Sequence, residues 1–370
     1  MFQIFFTRVK CFCVNAAIVI TSLAAALLFA EWIVRTYMPS PDYGGGKRPA
    51  LYSHLFEYDA LVGWKGVPNV HSPYFSKDFK VTINHDAFGY RNISPPYIAN
   101  KKNYLMLGDS YGWGWGVEDN ETAAAVFNKE NSGVNLYSMG TPGYGTDQEY
   151  LAMQEFLTKH PDYKYQGVIL LFYYNDFENN AAAESYRYPK PLFHLNEQQE
   201  LSLQNIPVPQ KNIAQDAVID VEPHQENRLS RSQLFNFFIY NIIPLIIRSD
   251  HVDEKKAFDE AQKVSDQEKS NQILTAAIIS DMAKYCTERG IDFHVTFLLT
   301  QNTDLHPATL ISGLANQLAK KNIEQSFFYS RKFPRTDLWL DTHYTPYGQA
   351  LLADHIMDVI ASKKQLPEAQ

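Results

Sequence analysis

Residues 14 to 30 carry no charged side chain, and the apolar run continues past Glu31 into Trp32, Ile33 and Val34. That is about one bilayer's thickness of helix. Arg8 and Lys10 precede the run, so the positive-inside tendency predicts a cytoplasmic N-terminus with the rest of the chain sent outward, and Trp32 and Tyr37 suit the outer interface. An uncleaved anchor over residues 1–37 is favoured. A cleaved signal peptide competes, but its small residues Ala24 to Ala26 sit in mid-run; a buried core helix is the third reading. Residues 38–50 are rich in Pro and Gly and read as a linker. Residues 51–100 alternate aromatic and β-branched runs with turns, which predicts a β-rich preface.

From residue 103 the pattern alternates strands and helices. Strands are predicted at 104–107, 134–137, 168–173, 293–299 and 327–329, and helices at 122–129, 146–158, 271–289, 307–320 and 346–362. Such alternation implies a parallel sheet with helices on both faces, built from residues 101–177 and 271–370. Between 178 and 270 the rhythm fails. Five prolines (189, 191, 207, 209 and 223) punctuate that stretch, Phe193-His-Leu and Leu201-Ser-Leu flank a polar turn like a hairpin, and 262–270 is strongly polar, so the segment reads as an inserted cap. Its apolar run 234–247 is broken by Pro244 and too short to span a bilayer; it reads first as a helix buried on the core, second as a membrane-facing or acyl-contacting surface.

Composition changes this picture little. The 370 residues, 45% of them hydrophobic, can bury a full-sized core, and a formal net charge of -8 with scattered Lys and Arg argues against a nucleic-acid partner. Cys11 and Cys13 belong to the N-terminal segment, which leaves Cys286 alone in the body and no disulfide framework there.

The chemistry begins where the first strand of the alternating region ends, at Leu107-Gly108-Asp109-Ser110. A sharp turn at the strand end would lift the Ser110 hydroxyl above the sheet edge, where open α/β sheets bind ligands. A free hydroxyl is a weak nucleophile and needs a base, an orienting acid and oxyanion donors. Near the C-terminus, Asp341-Thr-His343 stands just before a helix that Thr345 would cap and Pro346 would start, which makes His343 the candidate base and Asp341 its acid, with Asp337 as the alternative acid. Asp109 reads as a turn residue rather than the catalytic acid. Two further strand ends carry candidates for the oxyanion: the glycine-rich loop 138–146 with Gly143, and Asn175 after the next strand, although such residues also serve as ordinary turn formers.

This combination resembles the SGNH, or GDSL-type, hydrolase family, with four blocks in order: Gly108-Asp109-Ser110, Gly143, Asn175 and Asp341-Thr-His343. The resemblance implies a three-layer α/β/α sandwich with a flavodoxin-like parallel sheet. It implies Ser110 as nucleophile, His343 as base, Asp341 as its orienting acid, and the Ser110 backbone, Gly143 and Asn175 as the oxyanion hole, with no cofactor and no metal. Tyr173 stands where the family usually has a glycine, and acid and base are two apart rather than three. The latter variant is similar to members acting on O-acetylated polysaccharides. The function expected is an esterase removing O-acyl, chiefly O-acetyl, groups from an envelope or exported glycan on the extracytoplasmic side, attached by one membrane helix and associated with envelope polysaccharide machinery. The alternatives are an O-acetyltransferase with the same triad, a lipid or acyl esterase, and an inactive polysaccharide-binding assembly factor. Tyr111, Trp113, Trp115 and Tyr144 are the aromatic faces expected to meet sugar rings. Gly108-Asp-Ser-Tyr-Gly112 also fits the elbow of α/β-hydrolases, but no upstream glycine-rich oxyanion loop accompanies it.

Overall fold

The structure is a computed structural model describing residues 2–37, 54–75, 79–196, 198–211, 264–300, 305–330 and 343–363. The expected linker, most of the expected cap with its apolar run 234–247, and both candidate acids Asp337 and Asp341 lie outside these residues. The chain divides into two compact units, residues 1–48 with 220–254, and residues 49–219 with 255–370.

In the first unit, helix α1 spans Phe2–Tyr37, with Val14, Ile18, Val19, Ile20, Leu23, Leu27, Leu28, Phe29 and Trp32 all exposed. Among the described residues no helix is long and apolar enough to cross a membrane, so the expected transmembrane anchor gains no support from the structure.

The second unit opens with the preface as two antiparallel hairpins, β1 (Phe56–Asp59) with β2 (Gly63–Gly66) and β3 (His71–Phe75) with β4 (Lys80–Asn84). There follow β5 (Lys102–Leu107), the four-residue helix α2 (Ser110–Trp113), α3 (Ala123–Glu130), β6 (Val134–Ser138), α4 (Thr146–Lys159), β7 (Tyr165–Phe172) and α5 (Asp176–Ala181). Two small hairpins come next, β8 (Glu184–Ser185) with β9 (Tyr188–Pro189) and β10 (Leu192–Leu195) with β11 (Leu201–Gln204). After the undescribed stretch come α6 (Asp266–Thr287), β12 (Asp292–Thr300), α7 (Leu305–Ala319), β13 (Glu324–Ser330) and α8 (Pro346–Lys363). The sheet is five-stranded and parallel in the order β6-β5-β7-β12-β13, the 2-1-3-4-5 arrangement of flavodoxin-like folds.

Period-two alternation along each strand builds two cores. Leu105, Leu107, Val168, Leu170 and Phe172 face α4, α6 and α7, where Met153, Phe156, Ile278, Met282 and Leu314 are buried. Met106, Ile169 and Leu171 face α3 and α8, where Phe127, Leu352 and Ile356 are buried. The sheet therefore lies between two helical layers, as expected. The polar stretch before residue 271 is a different matter, because α6 begins at Asp266. Ser265 accepts from the Glu268 N–H (3.2 Å) and Glu268 accepts from the Ser265 N–H (2.8 Å), so a capping box starts the helix inside what read as insertion.

Candidate active site

The strand order reverses between β5 and β7, and the crevice at their carboxyl ends is where such sheets bind ligands. Ser110 follows β5 and Asn175 follows β7. The loop after β6 reaches the same edge, because the Thr141 N–H donates to the Gly108 carbonyl at 2.9 Å. Gly140 in that loop must be glycine: a Cβ there would lie 2.3 Å from the Trp113 nitrogen and 2.4 Å from the Gly112 carbonyl carbon, backbone on backbone.

Ser110 begins α2 and is half-buried, and its Oγ lies 2.8 Å from His343 Nε2. The two residues are 233 positions apart, so tertiary packing alone brings them together. His343 precedes α8, which starts at Pro346 with the Gly348 N–H donating to Thr345 Oγ1 at 3.2 Å. The imidazole stacks on the rings of Tyr111 (centroids 5.0 Å apart, planes at 29°) and Trp115 (5.1 Å, 21°). Gln349, buried in the first turn of α8, ties this end of the helix to the serine turn. Its amide donates to the Tyr111 carbonyl (3.3 Å) and its carbonyl accepts from the Ala123 N–H (2.9 Å). Nothing in the sequence marked Gln349 beyond its place in that first turn.

Asp109, 2% exposed, does not reach His343 by a hydrogen bond but caps the nucleophile turn. One carboxyl oxygen accepts from the Tyr111 N–H (3.0 Å), and the other accepts from the Asn175 side-chain amide (3.0 Å). Burial pushes the Asp109 pKa upward, and these two hydrogen bonds oppose the rise. Asn175 is thus held beside the serine turn. Gly143 adopts φ +79°, and a Cβ there would lie 2.6 Å from the Tyr186 ring, so its loop is closed over by the β8–β9 hairpin. Asp341, the expected acid, lies outside the described residues.

The preface holds the site from outside. Arg91, 1% exposed, pairs with Asp119 (2.6 Å), donates to the carbonyls of Gly114 (3.2 Å) and Val117 (3.0 Å), and lies 4.9 Å over the Trp113 ring. It therefore satisfies carbonyls just past the C-terminal end of α2. Trp64 donates its indole N–H to the Pro142 carbonyl (3.2 Å), and the Tyr144 hydroxyl donates to the Trp64 carbonyl. Three of the four aromatics expected to face a sugar are buried core: Tyr111 and Tyr144 are 2% exposed and Trp113 is 1% exposed. An aromatic near a serine in sequence is as readily its packing as its ligand contact.

Beneath the site lies a group of buried acids that sequence spacing did not reveal. Asp147 pairs with Lys190, both fully buried. Asp176 accepts from the Thr146 hydroxyl (3.1 Å). Among the described residues, neither carboxyl oxygen of Glu149 and not the second oxygen of Asp176 has a hydrogen-bond partner. Burial raises the pKa of both groups well above the ordinary carboxylate range, and the neighbouring charges of Asp109 and Asp147 raise each further.

No protein-family model and no curated protein sequence matches this chain. Among solved structures, it is similar to a member of the lipolytic protein G-D-S-L family from Veillonella parvula at 10% identity, over 70% of this chain and 98% of that one, with a TM-score of 0.40. It is similar to a GDSL-like lipase from Bacteroides thetaiotaomicron at 12% identity, over 73% and 93%, TM-score 0.40. A family two carbohydrate esterase from Clostridium thermocellum in complex with cellohexaose is matched at 10% identity, over 73% and 66%, TM-score 0.38. Likenesses this remote leave the chemistry to be argued from the geometry.

Proposed function

We propose that this chain is a serine esterase of the SGNH type that removes O-acyl groups, chiefly O-acetyl, from a glycan. The observation that carries the reading is the 2.8 Å contact between Ser110 Oγ and His343 Nε2 at the switch point of a flavodoxin-like sheet. In the reaction, Ser110 Oγ attacks the acyl carbonyl carbon while His343 Nε2 takes its proton. The carbonyl oxygen becomes an oxyanion, received by the Ser110 and Gly143 backbone N–H groups and by the Asn175 amide, whose second hydrogen remains after the first is given to Asp109. His343 then returns the proton to the departing sugar oxygen, which leaves an acyl-enzyme. Water gives a proton to His343 and attacks that ester, and His343 passes the proton to Ser110 Oγ as the carboxylic acid leaves. Asp341 is assigned to fix the imidazole tautomer on sequence grounds. An anchor at the N-terminus with the catalytic unit on the extracytoplasmic side rests likewise on sequence, on the uncharged run 14–30 behind Arg8 and Lys10.

The test uses the full chain in detergent with p-nitrophenyl acetate and a fluorophosphonate probe. Turnover and labelling are expected in the wild type and neither in Ser110→Ala. A folded wild type that does neither sinks the reading.

A further inference from the structure

With Tyr111, Trp113 and Tyr144 buried, a ligand arriving at Ser110 meets other rings. Three tyrosines near site residues are exposed: Tyr174 (37%) next to Asn175, Tyr347 (55%) in the first turn of α8 behind His343, and Tyr186 (55%) at the tip of the β8–β9 hairpin. The exposed aliphatic side chains of the same unit, Leu203, Ile206 and Ile273, sit in β11, just beyond it and on α6.

We propose that Tyr186 is the platform on which a sugar ring of the acylated glycan stacks while its ester reaches Ser110. The proposal rests on the esterase reading and deepens it by naming the side chain that holds the sugar. The Tyr186 ring lies over the Cα of Gly143, close enough that a methyl group there would meet its Cε2 at 2.6 Å and its Cδ2 at 2.7 Å. The ring therefore borders the loop assigned to the oxyanion.

The hairpin is also fixed in place. Ser185 Oγ donates to the Gly143 carbonyl at 3.2 Å. Directly behind β9, fully buried Lys190 pairs with Asp147 and donates to the carbonyls of Asn179 (3.0 Å), Ala182 (3.3 Å) and Pro191 (3.1 Å). A rigid base with an exposed aromatic tip is the form of a binding platform, since little ordering remains for the ligand to impose.

Backbone strain points the same way. The two-residue turn is Tyr186-Arg187, with φ of +50° and +69°, at positions where hairpins ordinarily place Asn-Gly. Tyrosine is an unfavourable choice there on backbone grounds, and it stands 55% exposed beside the Gly143 loop. A pyranose offers an apolar C–H face and a hydroxyl rim, which match the flat face and edge hydroxyl of tyrosine. An acyl chain would instead be matched by enclosed aliphatic walls, and among the described residues the exposed rings beside Asn175, His343 and Gly143 are all tyrosines.

The experiment compares full-length wild type with Tyr186→Phe, Tyr186→Leu and Tyr186→Gly. The quantity read is kcat/KM on O-acetylated oligosaccharides (xylan, glucan and uronate types) divided by kcat/KM on p-nitrophenyl acetate, with the thermal midpoint measured alongside. The ratio is expected to fall about tenfold or more in the Leu and Gly variants and to stay within about threefold in the Phe variant. The Gly variant is relieved of positive φ strain, and its thermal midpoint, read beside the ratio, separates lost stacking from lost folding. An undiminished ratio in the Leu and Gly variants overturns the proposal, as does a wild type that cleaves p-nitrophenyl acetate and no acetylated glycan. If the wild type cleaves nothing and takes no fluorophosphonate, the esterase reading has failed, and glycan binding by calorimetry then decides the platform alone: weaker binding by Tyr186→Gly supports it, equal or absent binding overturns it.

Discussion

Glu149→Gln is the sharpest test of the buried acids beneath the site. Glu149 is 2% exposed, and among the described residues neither carboxyl oxygen has a hydrogen-bond partner. Burial first, then the charges of Asp176, Asp109 and Asp147, raise its pKa well above the ordinary range. Its place in the first turn of α4 works the other way, because a helix N-terminus favours an anion, but by only about 0.3 to 1 kcal/mol. Desolvation wins, and folding favours the protonated form of Glu149. The unfolded chain releases that proton near pH 4.3. Between the two pKa values the native state binds more protons than the unfolded state, so stability is complete at low pH and is lost as pH rises. Between those two pKa values the slope is about 1.4 kcal/mol per pH unit.

Glutamine keeps the shape and removes the proton. The assay is thermal unfolding of wild type and Glu149→Gln at several pH values, read as the difference between the two proteins so that other titrating groups cancel. The midpoints are expected to be most alike near pH 4, where the unfolded chain also keeps its proton. Above that the variant's lead is expected to grow by about 3 °C per pH unit until the folded pKa is reached, taking roughly 2 °C per kcal/mol for a chain of this size. A variant destabilised equally at every pH would refute the reasoning, since it would mean that Glu149 is ionised and held by a specific contact.

Gln349→Ala removes the bridge from α8 to the serine turn and leaves the buried Ala123 N–H without its acceptor, so a loss of about 1–3 kcal/mol in denaturant unfolding is expected, with kcat falling more than KM changes. Arg91→Lys keeps the charge but cannot serve Asp119, Gly114 and Val117 together; a loss of about 3 kcal/mol in chemical denaturation is expected, and a loss below about 0.5 kcal/mol would contradict the assignment. Gly140→Ala places a methyl between two backbone segments that have no side-chain freedom, so impaired folding and loss of fluorophosphonate labelling are expected, both visible in a thermal scan and a labelling gel.

The layered fold was legible because strand and helix periods differ. Leu105 and Leu107 fall on one face of the sheet and Met106 on the other, as alternation requires, and Thr345-Pro346 announced the start of α8. The start of α6 was also written in the sequence, in Ser265 and Glu268, but the surrounding polar residues hid it. Ser110, His343 and Asn175 could be picked out because each follows a strand or precedes a capped helix. Burial was not legible. Tyr111, Trp113 and Tyr144 have the same composition signature whether they face a sugar or a core, and only packing distinguishes the two. The acids Asp109, Asp147, Glu149 and Asp176 come from three different loop or helix starts, so no local pattern joins them. Tyr186-Arg187 escaped because a two-residue hairpin without Asn or Gly breaks the rule by which such turns are read.

The separation of Ser110 from His343 bears on how the pair can work. Closing a loop of 233 residues costs on the order of 5 kcal/mol of chain entropy, whereas the hydrogen bond between them contributes about 1 kcal/mol. That bond therefore does not deliver the histidine. Leu352, Ile356 and Ile360 of α8 are buried in one core with Phe127 and Ala124 of α3, and burying three large aliphatic side chains contributes about 5–9 kcal/mol. Helix packing sets the position of His343, and Gln349 sets its alignment. The Oγ to Nε2 contact is therefore not what holds the two elements together. Ser110→Ala should accordingly abolish turnover while shifting the thermal midpoint by no more than about 2 °C. A large loss of stability in that variant would mean that the pair is part of what folds the chain, and the division of labour between packing and chemistry would be wrong.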